Sequence, residues 1–320
     1  MSRITVVGSG AWGTALALRA GWAGHRVSLV TRDAATASII KAKGESHRLP
    51  GCRLPGEFDI RADIPAAVEL LLWVAPTQHL RSSFLHLRPA HGPIIVCAKG
   101  VEASTHLLPL EVVRDVSVAG PLGILTGPNF AHEVARGLPA AAVVASTDAG
   151  LREMVLHVLG GPSFRLYGND DPIGAQLGGA AKNVIAIAAG AVIGAGLGEN
   201  ARAALMTRGL SELCRLAVAL GGRAETVMGL SGLGDLLLTC TGPSSRNFSL
   251  GYALGRGESL SNILANRSAV TEGVQTAAAL VARAGHVELP ICRAVAALLA
   301  GAKTLDQAIT DLLSRPQRDE

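Results

Sequence analysis

The stretch RITVVGSGAWGTALALRAG, residues 3–21, decides the fold. Ile4–Val7 is a short apolar run rich in β-branched residues, and from Thr14 onward helix formers take over. Gly8-x-Gly10-x-x-Gly13 lies between them. Strand, glycine turn and helix in this order open a βαβ unit. Gly8 then serves the tight turn, Gly10 the approach of backbone to a pyrophosphate, and Gly13 the close packing of helix on strand. The helix N-terminus adds N–H donors and the positive end of its dipole. A bare GxGxxG is weak. Here the strand, the helix and the place in the first βαβ unit agree, so a dinucleotide cradle outweighs a merely structural turn.

Further strand-like runs follow. HRVSLVTRD (25–33) reads as a second strand, and VELLLWVAP (68–76) is a continuous apolar run stopped by Pro76, as a central parallel strand would be. GPIIVCAKG (92–100) and GPLGILTGP (120–128) each end in a glycine turn, and weaker runs occupy 138–146 and 163–167. Alternation with helical segments indicates a parallel sheet. Beyond about residue 175 no strand pattern is found. Leu210, Leu213, Ala217 and Leu220 form a helical stripe that stops at Gly221-Gly222, and helices are expected at 272–285, 289–301 and 304–314. The expected fold is α/β: an N-terminal doubly wound Rossmann-type sheet over 1–175 that binds the dinucleotide, and a C-terminal all-α domain over 176–320 for substrate and catalysis. The final RPQRDE reads as a frayed tail.

The second strand ends in Arg32-Asp33. An acidic residue there binds the ribose 2′-OH of NAD, whereas an arginine accommodates the 2′-phosphate of NADP. Both are present, so either cofactor is open, with NADP slightly favoured.

A net charge of +4 over 320 residues, with no basic tract interleaved with aromatics, suits an anionic small molecule and not nucleic acid. Five scattered cysteines argue against a disulfide framework, and no CxxC or HxxxH pair suggests a metal. MSRITVVGSG enters a strand directly, without the layout of a signal peptide, so the cytoplasm is the expected compartment. The apolar, glycine-rich composition of the C-terminal half points to a homodimer through it.

Lys182 is the only charge between Gly174 and Gly198. A membrane anchor, a solvent-facing lysine and a catalytic amine are the three readings. The uncharged run Val184–Gly198 is short of the roughly 20 residues that span a bilayer, which sets the anchor aside. An apolar setting lowers the pKa of a lysine toward the range useful for proton transfer, which favours the amine.

Four more segments carry candidate chemistry: AKGVE with Lys99 at a strand end, TGPNFAHEVARGLP, GLSGLGDLLLTCTGPSSRNFSLG, and VTEGVQTA. Taken with the glycine turn and GGAAKNVIAI, their order and spacing resemble the NAD(P)-dependent glycerol-3-phosphate dehydrogenases of the bacterial, soluble type, from the first strand to about residue 300. The resemblance implies reversible reduction of dihydroxyacetone phosphate to sn-glycerol 3-phosphate, a supply for phospholipid synthesis. It implies that Lys182 is catalytic and that Lys99, Gly127, Asn129, Asp235, Ser245, Arg246 and Asn247 share the substrate site with it. It also implies a cofactor role for Ala11, Trp12, Arg32, Lys99, Ala131, Arg246, Val270 and Glu272, beside Gly8, Gly10 and Gly13. Two positions depart from the pattern. Ala11 stands where serine is frequent, so a contact there falls to the backbone N–H. Asn129 stands where serine or threonine is usual, which changes the reach of the side chain. A dehydrogenase for β-hydroxy or keto acids is the first rival, and it has no need of the Ser245-Arg246-Asn247 trio. A non-enzymatic dinucleotide-binding regulator is the second, and it has no need of Lys182 or Asp235.

Overall fold

The structure, a computed structural model, describes residues 1–89, 92–116, 120–266 and 271–314. The expected frayed tail, 315–320, and Val270 lie outside the described residues. The chain divides into two compact units. The first comprises 1–99 and 108–176; the second comprises 100–107 and 177–320.

The first unit is an eight-stranded sheet: β1 (Arg3–Val7), β2 (Arg26–Val30), β3 (Asp59–Arg61), β4 (Leu70–Trp73), β5 (Ile94–Val96), β6 (Leu122–Thr126), β7 (Ala140–Ala145) and β8 (Phe164–Asn169). The order is β3-β2-β1-β4-β5-β6-β7-β8, with the doubly wound reversal between β1 and β4. Two features depart from the sequence reading. β6 and β7 pair antiparallel, within a sheet whose other pairs are parallel. β3 is also an addition, a three-residue edge strand in which only Ile60 is buried. β4 (LLLW) is buried throughout, with Trp73 stacked on Phe84 at 3.7 Å between ring centroids.

Among the described residues of the second unit, every secondary-structure element is helical. Helix α7 (Pro172–Gly194) is long and apolar enough to cross a membrane, yet 83% of its apolar window is buried inside the protein. Its glycines explain how. A Cβ on Gly190 would lie 2.0 Å from the carbonyl oxygen of Phe248, and one on Gly251 would lie 1.9 Å from that of Ile187. Helix α11 (Arg246–Gly255) therefore lies against α7 backbone to backbone. Helix α8 (Gly198–Ala219) packs Gly209 on Ile185 of α7 and buries Glu212 at 1% exposure. The Glu212 carboxylate accepts from the backbone N–H groups of Ile291 at 2.6 Å and Cys292 at 3.2 Å, in the first turn of α14 (Pro290–Leu299). Burial nonetheless holds this carboxyl above the usual range, against the two N–H donors that lower it.

Candidate active site

β1 runs into the glycine turn, and α1 (Ala11–Trp22) leaves it. Gly8 has φ +117°, and a Cβ on it would crowd the Val74 carbonyl, just past β4, at 3.1 Å. A Cβ on Gly13 would lie 1.8 Å from the Gly8 carbonyl oxygen. A Cβ on Gly10 would meet nothing within 4 Å. Two glycines are thus required by the turn itself, and the third keeps open a space above it. α1 begins at Ala11 with no side-chain cap and no acid in its first turn. Its first helical bond is donated by Thr14 to Gly10, so the N–H groups of Ala11, Trp12 and Gly13 lie ahead of the intrahelical ladder. An open space faced by the first-turn N–H groups of a helix, at the switch point of the sheet, fits a dinucleotide pyrophosphate. Trp12 packs edge-on against Phe164, 6.5 Å between centroids, as part of the core wall.

Asp33 is the N-cap of α2 (Ala34–Lys43), its Oδ1 accepting from Thr36 N at 2.7 Å. Its Oδ2 accepts from Arg32 Nε at 3.0 Å. The Thr36 N–H foremost, with Arg32, holds the carboxyl down to about 2. Arg32 extends its side chain into solvent, 89% exposed.

Beyond β5 and β6 the loops bring two candidates together: Lys99 Nζ donates to the Gly127 carbonyl at 3.1 Å. Asn129 Nδ2 donates to Ala141 O at 3.0 Å, which fixes the orientation of the amide. Its Oδ1 is buried with no partner among the described residues. Ala131 opens the short helix α5 (Ala131–Val134).

In the second unit, a π-helical turn (Leu230–Gly234) leads straight into α10 (Asp235–Cys240). The turn lies on α7 because Gly178 carries no side chain: a Cβ there would be 2.7 Å from Ser231 O. One helical turn after Gly178 comes Lys182. Its Nζ donates to Asp235 Oδ1 and, at 2.9 Å, to Thr239 Oγ1. The side chains of Lys182 and Asp235 are 10% and 1% exposed. Thr239 Oγ1 in turn donates to the Asp235 carbonyl at 2.6 Å. Sequence reasoning missed Thr239; its place one turn after Asp235 on a helix was the available signal. Burial pushes the thiol of Cys240, beside this group, up to about 12, which disfavours its thiolate.

Ser245 caps α11, accepting from Phe248 N at 3.2 Å, and Arg246 at the first helical position is exposed. Asn247 Oδ1 accepts from Gly273 N at 3.0 Å, next to Glu272, which opens α13 (Glu272–Ala284). His25 precedes β2 and accepts from Ser2 N, at the end of the sheet away from the glycine turn. His79 and His132 are exposed. Among the described residues no group of three or more His, Cys, Asp or Glu could hold a metal.

The models of the NAD-dependent glycerol-3-phosphate dehydrogenase N-terminus and C-terminus match residues 3–152 and 171–310. A glycerol-3-phosphate dehydrogenase (NAD(P)+) of Bradyrhizobium is 50% identical over 99% of this chain and 98% of its own length. One from Acidiphilium cryptum is 52% identical over 98% and 97%. The crystal structure of glycerol-3-phosphate dehydrogenase from Coxiella burnetii, 36% identical, superposes with a TM-score of 0.92 over 98% of this chain and 99% of that one.

Proposed function

The chain belongs to the NAD-dependent glycerol-3-phosphate dehydrogenase family, and from that premise we propose how its residues carry out the reversible NAD(P)H-dependent reduction of dihydroxyacetone phosphate to sn-glycerol 3-phosphate. The observation that carries the reading is the buried ammonium of Lys182, held by Asp235 and Thr239. Bound NAD(P)H supplies the hydride. As the ketone carbon gains it, negative charge gathers on the carbonyl oxygen. Lys182 neutralises that charge and donates the proton, a contribution typically of about 10²–10⁴-fold. Asp235 holds the ammonium in place as its ion-pair partner, and Thr239 fixes its direction. In the oxidative direction the same nitrogen takes the proton back.

Arg246, exposed at the start of α11, offers paired donors to the substrate phosphate, and Ser245 and Asn247 flank it at the helix N-terminus. Lys99 and Gly127 are assigned to the substrate as well. The orphaned Asn129 Oδ1 is suited to accept from the substrate hydroxyl, a bond the usual serine or threonine would make with a shorter reach. Gly8, Gly10, Ala11, Trp12, Gly13, Arg32, Ala131, Val270 and Glu272 are assigned to the cofactor, and Lys99 and Arg246 to both ligands. The sheet domain, 1–175, is the dinucleotide-binding part and the helical domain, 176–320, the catalytic part. Because Asp33 caps α2 with its own carboxylate, Arg32 is the better placed of the two to meet a 2′-substituent, which favours NADP slightly. All five cysteines are free, in keeping with a cytoplasmic enzyme. A homodimer through the helical domain rests on its composition alone.

The test is NAD(P)H absorbance with dihydroxyacetone phosphate, dihydroxyacetone, and a keto acid as substrates. Rapid oxidation with the first alone supports the reading. Preference for the keto acid, or no oxidation with any of the three, would refute it.

A further inference from the structure

Lys182 is followed by Asn183, buried to 3% exposure and assigned no part in the chemistry above. Its amide sits in a chain of hydrogen bonds with one direction. Gly273 N is an obligate donor, so the oxygen of Asn247 must face it, at 3.0 Å. Asn247 Nδ2 then donates to Asn183 Oδ1 at 2.9 Å. Asn183 Nδ2 is left to donate to Glu272 Oε2 at 3.4 Å. The backbone N–H at one end and the carboxylate at the other fix both amide orientations. Because Glu272 and Gly273 are adjacent, the chain closes on itself: α13 gives the first donor and takes the last. Room for the closure comes from Gly273, where a Cβ would lie 2.6 Å from Asn247 Oδ1 and 2.8 Å from the Asn183 carbonyl.

We propose that Asn183 is a positioning residue that aims the Glu272 carboxylate for the dinucleotide while it holds Asn247 in the substrate site. The proposal rests on the roles given above to Glu272 and Asn247. Two features make an amide the fitting side chain here. It presents an acceptor to Asn247 and a donor to Glu272 at once, which neither a carboxylate nor a hydrophobic group of that size can do. It is also one residue along α7 from Lys182, so the aim of Glu272 is set from the helix that carries the ammonium.

The experiment is a double-mutant cycle read by fluorescence titration with NADPH and NADH on folded protein, with KM for dihydroxyacetone phosphate alongside. Asn183→Asp keeps the acceptor for Asn247 but turns the donor toward Glu272 into a second carboxylate. The expected result is a rise in dinucleotide Kd of roughly tenfold in the wild-type background, the scale of a lost bond to a charged group. In the Glu272→Gln background, where a side-chain N–H can meet Asp at 183, the same change raises Kd by less than about twofold. Should Asn183→Asp fail to fold by circular dichroism, Asn183→Ser is paired with Glu272→Ala instead, a background with no carboxylate to aim, where Asn183→Ser is expected to raise Kd by less than about twofold. An equal penalty in both backgrounds, or a change confined to the KM for dihydroxyacetone phosphate, overturns the proposal. Wild-type protein that binds neither dinucleotide overturns the functional reading itself.

Discussion

The ammonium of Lys182 and the carboxylate of Asp235 form an ion pair between helices α7 and α10, with side chains 10% and 1% exposed. Desolvating two charges is costly, and removing one partner leaves the other uncompensated. Asp235→Ala is therefore expected to destabilise the fold by about 3–5 kcal/mol. The double variant Lys182→Met, Asp235→Leu is expected to lose less than Asp235→Ala alone. Urea unfolding of the set measures both. If the double variant loses as much as two independent single changes would, the two groups are not paired in solution.

The assignment of Arg32 to a 2′-substituent predicts a difference between the two dinucleotides. The carboxylate of Asp33 is engaged by Thr36 N and by Arg32 Nε, and it remains ionised down to about pH 2. Arg32→Ala is expected to raise the KM for NADPH roughly tenfold and the KM for NADH far less, since only the 2′-phosphate offers a charge-assisted pair. Equal effects on the two cofactors would move the 2′-site elsewhere.

Glu212 provides a test of the helical framework away from the chemistry. It caps α14 through two backbone N–H groups, yet burial keeps its carboxyl above the usual range. A raised folded-state pKa gives stability that is present below the unfolded value, about 4.3, and is lost as pH rises through the folded value. Glu212→Gln keeps an acceptor and carries no charge. Its stability relative to wild type should rise with pH across that window, while Glu212→Ala should lose about 1–3 kcal/mol throughout, because two buried donors are orphaned. Thermal melts of the three proteins at acid and neutral pH decide it; a pH-independent difference between Gln and wild type would contradict the account.

Much of the sheet was legible because its strands are uniform. LLLW in β4 and LGILT in β6 read as buried strands since both faces are covered. β3 was illegible for the opposite reason: Asp59-Ile60-Arg61 has one buried residue between two charged ones, and edge strands of that length carry no periodicity. The antiparallel run of β7 on β6 was hidden because alternation reports that a segment is a strand, not which way it points. In the helical part, the glycines of GLSGLGD suggest a loop. The chain instead makes a π-helical turn there, whose backbone is drawn onto Gly178, and tertiary contact overrides local propensity. Asp235 was reached through the family resemblance, and Lys182 stood out as a lone charge in apolar surroundings. Thr239 and Asn183 did not, because a threonine and an asparagine in a helix have many uses, and only their partners at Nζ and at Glu272 give them one.

The most direct measurement is steady-state kinetics of Lys182→Ala with dihydroxyacetone phosphate, paired with titration of its dinucleotide affinity. The account predicts a kcat lowered by roughly 10²-fold or more, with dinucleotide Kd close to wild type. Turnover near the wild-type rate in a protein that still binds the dinucleotide would remove the lysine from the proton transfer and contradict the mechanism.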